Sequence, residues 1–224
     1  MTAAGGNETP PFQPERIIAV LNEHHVDYVV IGGMGAILHG APMPPTKDID
    51  VTPEASRANL GRLSAALRDL GATLRAPGLT EGVVIPLDER TFDRMTTMTF
   101  FTEAGPFDVS LRPDGTDGYP DLVRSAVRVE FHGRPVPVAA LEDIIRSKNG
   151  AGRPKDQATL PELERFAQER TRAARLAAQA YPEAIDAACD QATSRTSADQ
   201  PDSPGRSTGD GHGECRGQSR STDR

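Results

Sequence analysis

No tryptophan occurs in this chain of 224 residues, cysteine occurs only twice, and basic residues are outnumbered, 25 Lys and Arg against 32 Asp and Glu. Each shortage removes a class of protein. Cys189 and Cys215 lie in or near a polar C-terminal stretch, so neither a disulfide framework nor a cysteine zinc site is expected, and the compartment reads as reducing. A net charge of −7 argues against a protein that coats nucleic acid, since such domains carry a basic face. No run reaches the roughly 18 consecutive apolar residues of a membrane span, and MTAAGGNETPPFQPE lacks the basic and apolar regions of a secretory signal. The expectation is a soluble, cytoplasmic protein with no membrane partner.

Hydrophobic content is low at 37%, and 19 Pro with 21 Gly dilute the average. The dilution is local. From Glu183 to Arg224 the only large aliphatic residue is Ile185, and eight acids against five arginines give that stretch −3 of the total charge. Such a segment cannot bury enough apolar surface to offset its ordering entropy. The expected organisation is a flexible N-terminus over 1–13, one domain over 14–182 and a disordered tail over 183–224.

Within the domain, PERIIAVLNEHH predicts a first helix with Pro14 in its opening turn. VDYVVIGG predicts a buried strand ended by glycines, GAILHG a short helix, and APMPPT a loop whose three prolines exclude regular structure. KDIDVT alternates, which sets Asp48 and Asp50 on one face of a second strand and Ile49 and Val51 on the other. PEASRANLGRLSAALRDLG predicts an amphipathic helix with Leu60, Leu63, Leu67 and Leu70 inward. A short strand is expected at Val83–Ile85, a hairpin from RMTTMTFFTEA and FDVSLRP, and a further strand pattern with a turn at His132–Gly133. The remainder reads as two or three helices, broken at Gly150–Pro154 and near Pro161. The fold class this order implies is α/β in the α+β sense, a mixed β-sheet with C-terminal helices.

Three features carry chemistry. Asp48 and Asp50 stand about 7 Å apart on one strand face and repel unless solvent or a cation separates them; in an isolated D-x-D the commoner meaning is a solvated edge. Asp108 alternates with Phe107 and Val109, and a third carboxylate on a neighbouring strand would complete a hard-oxygen set able to hold divalent cations. Two such ions can stabilise the attacking and leaving oxygens of a phosphoryl displacement. Gly32 and Gly33 end a strand and open a helix, where bare backbone lets a phosphate approach. A dinucleotide fingerprint fails because Leu38 replaces the third glycine, and a P-loop fails because no G-K-[ST] follows. An oxidoreductase is therefore set aside. His24, His25 and His39 read as caps before ligands.

Fourteen residues separate Gly33 from the DID triplet, with a later acid on another strand. This resembles the nucleotidyltransferase superfamily of the DNA polymerase β type, over about residues 14 to 170. GGMGAILHGAPMPPTKDIDV together with LEDIIRSKNGAGRPKDQATLPEL is similar to small bacterial standalone members, including AbiEii/AbiGii-type toxin relatives. The resemblance implies that Asp48, Asp50 and Asp108 bind a metal pair, Mg²⁺ or Mn²⁺, and that Asp108 helps orient or deprotonate the acceptor hydroxyl. It implies that Gly32 and Gly33 cradle the phosphates of a nucleoside triphosphate such as ATP, with Lys148, Arg153 and Lys155 adding positive charge and Asp156 fixing one of them. A local count agrees, eight basic against four acidic residues from Arg146 to Arg175, although a solvated helix face would give the same count. Two departures bear on triphosphate affinity: Gly33 stands where many members carry Ser, and Pro45 near where many carry Arg, with Lys47 as a substitute. The implied activity moves a nucleoside monophosphate to an acceptor hydroxyl with release of pyrophosphate. RNA, protein and small molecules all remain open as acceptor, and a toxin version would need an antitoxin partner. The alternative is a catalytically silent nucleotide-binding or regulatory module of the same fold.

Overall fold

Four apolar residues in succession, Tyr28 to Ile31, are stable as a strand only where both faces are covered, and that strand lies inside the sheet, paired on both edges. In the computed structural model, which describes residues 11–79, 81–93 and 96–180, all four are buried. Contacts divide the chain after Ala174 into two compact units, and the first holds the whole sheet. The expected tail over 183–224 lies outside the described residues.

The elements in chain order are α1 (Pro14–Glu23), β1 (Tyr28–Ile31), α2 (Gly32–Leu38), β2 (Ile49–Pro53), α3 (Arg57–Asp69), β3 (Thr73–Leu74), β4 (Thr97–Thr102), β5 (Gly105–Ser110), α4 (Tyr119–Leu122), β6 (Val127–Phe131), β7 (Arg134–Val138), α5 (Leu141–Ala151) and α6 (Pro154–Ala180). The seven strands form one mixed sheet ordered β3-β4-β5-β2-β1-β7-β6. Pairing is parallel at β2/β5 and β1/β7 and antiparallel elsewhere. This is the α/β architecture expected.

Alternation along β1 sorts the core into two layers. Tyr28 and Val30 join Ile17, Ile18 and Leu21 of α1 and Leu60, Leu63 and Leu67 of α3 in one cluster. Val29 and Ile31 join Leu122, Leu141, Ile144 and Leu163 from α4, α5 and α6 in the other. Phe100 and Phe107, fully buried neighbours on β4 and β5, extend the first layer. Truncating either to Ala would cost about 3–5 kcal/mol.

The glycines open α2, as expected. Three local expectations change. Pro53 closes β2, and α3 starts four residues later, where the Ser56 side chain accepts from the Asn59 N–H. At Val83–Ile85 the chain makes one bridge, Leu74 to Val83, in place of a strand. Pro161 interrupts nothing. It lies exposed inside α6 while Leu160 and Leu163 are buried, so packing of that face carries the helix past the lost N–H. Among the described residues no helix is long and apolar enough to cross a membrane.

Candidate active site

Because β2 runs parallel to β5, their register decides which side chains meet. Asp50 pairs with Asp108, flanked by Ile49 with Phe107 and Val51 with Val109. The apolar neighbours face the first core layer, so the two acids share the opposite face. Asp48 lies one residue before β2, at the end of the proline loop. All three line a cleft of about 450 Å³.

Crowding three acids has an electrostatic consequence. Burial pushes the Asp50 carboxyl up to about 7, and the charges of Asp108 and Asp48 push the same way against Lys155 and Arg153. Burial also raises the Asp108 carboxyl, while a hydrogen bond from Thr99, its partner on β4, pulls it down. Oδ1 of Asp108 is buried with no hydrogen-bond partner. This leaves an orphaned carboxylate oxygen beside two more acids, an arrangement that a bound cation would satisfy.

The opposite wall is cationic. Lys148 Nζ donates to Asp156 Oδ1 at 2.7 Å, and Arg153 Nε donates to Asp156 Oδ2, also at 2.7 Å. Asp156 is 1% exposed. Burial alone would raise its carboxyl, but the hydrogen bonds from Lys148 and Arg153 outweigh this and hold it below the ordinary range. One buried acid thus orders two cations, on α5 and at the entry to α6. Lys155 is exposed and lines the same cleft.

The glycine turn has a steric cause that the sequence does not reveal. Gly32 has φ +70°, and a Cβ there would lie 2.1 Å from Asp50 Oδ2. The residue must be glycine for Asp50 to occupy its place. At Gly33 the nearest atom to a Cβ would be Thr46 Oγ1, at 3.4 Å, so that position tolerates a small side chain.

Of the residues singled out in the sequence, Gly32, Gly33, Asp48, Asp50, Asp108, Lys148, Arg153 and Lys155 all border this cleft. Lys47 is exposed and does not. Ser110, which alternation in FDVSLRP sets on the polar face with Asp108, borders it too. Thr46, Arg112 and Asp114 also line it and escaped sequence reasoning, since no period marks them. The histidines bind elsewhere: His24 Nε2 meets Asp69 Oδ2 at 2.7 Å and His39 Nε2 the Ala139 carbonyl at 2.8 Å.

Three carboxylates and an orphan oxygen fit a divalent cation in donor chemistry. Among the described residues, however, no group of three or more His, Cys, Asp or Glu converges closely enough to hold a metal ion alone. A divalent ion held there would need waters or substrate oxygens to complete its shell.

Three acids and three cations line one cleft on a mixed sheet, and the class this chain falls in, the nucleotidyltransferases, is shown by its family. The family model described as aminoglycoside-2''-adenylyltransferase matches residues 15–163, and the chain belongs to that family. No protein of curated function matches. Solved structures with a similar layout include the antibiotic-resistance factor ANT(2'')-Ia, 18% identical with a TM-score of 0.46, covering 80% of this chain and 95% of that one. The lincosamide antibiotic adenylyltransferase LnuA, in its lincomycin-bound form, is 15% identical with a TM-score of 0.48, covering 69% and 98%. A nucleotidyltransferase of Thermotoga maritima is 17% identical with a TM-score of 0.42, covering 70% and 97%. Enzymes of this family transfer a nucleoside monophosphate and generally use divalent metal ions.

Proposed function

We propose that the chain transfers the nucleoside monophosphate of a triphosphate to a hydroxyl of a small polar acceptor, with Mg²⁺ or Mn²⁺ bound by Asp48, Asp50 and Asp108. The observation that carries this reading is the Asp50–Asp108 register across β2 and β5, which opposes two acids on one cleft face. A divalent ion bound there would neutralise phosphate charge and polarise the reacting phosphorus. Lys148, Arg153 and Lys155 draw the triphosphate against the opposite wall, and Gly32 and Gly33 let it approach the backbone. Asp108, on the same strand face as Ser110, orients the acceptor hydroxyl for in-line attack on the α-phosphate, and pyrophosphate leaves toward the cations. Positioning and charge neutralisation carry the catalysis.

The acceptor is proposed as an antibiotic-like polyol on the strength of the family's description. A toxin acting on RNA and held by an antitoxin shares all the chemistry up to the acceptor and rests on the likeness of the RSKNGAGRPKD segment. One experiment separates these. The protein is incubated with each of the four labelled triphosphates, with Mg²⁺, Mn²⁺ or a chelator, and with aminoglycosides, lincosamides, total RNA or cell protein. Label on a small antibiotic with metal-dependent pyrophosphate release, lost in Asp50→Asn, is the expected result. Label on RNA alone would move the acceptor to the toxin reading. Full activity in Asp50→Asn would refute the metal assignment, and binding without release under every acceptor would return the silent module.

A further inference from the structure

Asp50 and Asp48 are held in different ways. Asp50 sits inside β2 and is registered on both sides, against Ile31 and Asp108. Asp48 precedes the strand, and the pairings of β2 with its neighbours begin after it. Upstream of it Pro44 and Pro45 stand in irregular chain. A half-buried carboxylate with two like charges nearby would swing toward water unless something held it. Among the described residues it makes no ion pair, and its carboxylate receives a single hydrogen bond: Thr46 Oγ1 donates to Asp48 Oδ1 at 2.5 Å. The same hydroxyl lies 3.3 Å from the Asp48 carbonyl and faces the empty side of Gly33.

We propose that Thr46 is the positioning residue of the acid pair, its hydroxyl locking the Asp48 side chain so that the second carboxylate oxygen stays free to bind a cation in the cleft. The inference rests on the metal-binding reading above. Its geometry is local. Threonine is stiff at χ1, so its hydroxyl is aimed at little entropic cost. Thr46 also borders the glycine turn, within van der Waals reach of a Cβ at Gly33, and it is a side chain that the D-x-D pattern does not contain.

The test measures binding of Mn²⁺ directly, by the loss of its free electron-spin-resonance signal, on the full chain with a non-hydrolysable triphosphate analogue. Wild type, Thr46→Val, Thr46→Ser, Thr46→Ala and Asp48→Asn are compared. Because partners that orient metal ligands typically contribute 10–100-fold in affinity, Thr46→Val and Thr46→Ala should weaken Mn²⁺ roughly 10-fold. Thr46→Ser should stay near wild type, and the Mg²⁺ needed for half-maximal activity should rise in Thr46→Val with kcat at saturating metal nearly kept. Wild-type affinity in Thr46→Val, or equal weakening in Thr46→Ser, would overturn the proposal. Asp48→Asn distinguishes the failures: if it binds Mn²⁺ like wild type, the metal-binding reading itself has failed, and if it alone loses binding, only the role of Thr46 has.

Discussion

The position of one carboxylate depends on the absence of a single methyl group. Gly32 is left-handed and its missing Cβ leaves room for Asp50 Oδ2, so Gly32→Ala should combine about 1–3 kcal/mol of backbone strain with displacement of the acid. Nucleotide transfer should then be lost at temperatures where the variant is still folded, whereas Gly33→Ala, with only Thr46 nearby, should keep both stability and most activity. Equal kinetics in the two variants would remove the steric argument. The raised carboxyl of Asp50 adds a pH dependence. An unfolded aspartate ionises near roughly 3.9, while in the folded chain this group holds its proton to about 7. Between those values the folded state binds more protons, so its stability falls as pH rises, with the full benefit present below the lower value and gone above the upper. Thermal midpoints of chelator-treated protein should therefore favour wild type over Asp50→Asn more at pH 5 than at pH 8. A difference that does not change with pH would mean the group ionises normally.

Between elements, Asp156 connects α5 to the start of α6 through Lys148 and Arg153. Asp156→Ala leaves Lys148 buried and unpaired, a loss of about 3–5 kcal/mol. Adding Lys148→Met should recover most of that stability without recovering triphosphate affinity. If affinity returned with stability, these cations would be structural only. The sequence was legible at this scale wherever a local rule governed. Alternation in KDIDV and FDVSLRP set both acid-bearing strands, and their apolar partners are indeed in the core. What could not be read was the parallel pairing of β2 with β5, because it joins segments more than fifty residues apart through no local turn signal. Thr46 was hidden for a related reason, since its meaning depends on where Asp48 ends up and not on a period. Pro161 misled because a propensity rule was overridden by the burial of Leu160 and Leu163 on the same helix. Replacing this exposed proline with Ala should stabilise the protein by about 1–3 kcal/mol, read from urea unfolding, and an unchanged midpoint would show that α6 already adapts to the lost N–H.

Across the whole molecule the charge is unevenly spread, and that spread predicts what the C-terminal stretch does to the enzyme. The chain carries −7, of which 183–224 contributes −3, while Lys148, Arg153 and Lys155 line the cleft proposed to take a polyanionic substrate. At physiological salt, charges farther apart than about 8 Å are largely screened, whereas at 0.01 M the reach is about 30 Å. If the acidic stretch 183–224 acts only through its charge, it would therefore repel triphosphate only at low salt. A chain ended after Pro182 keeps every residue of α6 and of the cleft, so its melting temperature and kcat should match the full chain. Its KM for triphosphate should fall below that of the full chain at 0.01 M salt and converge with it near 0.15 M. Loss of melting temperature or kcat on truncation would show instead that 183–224 packs as part of the domain. A KM difference that persists at high salt would point to direct contact with the cleft, since only a long-range field is removed by screening.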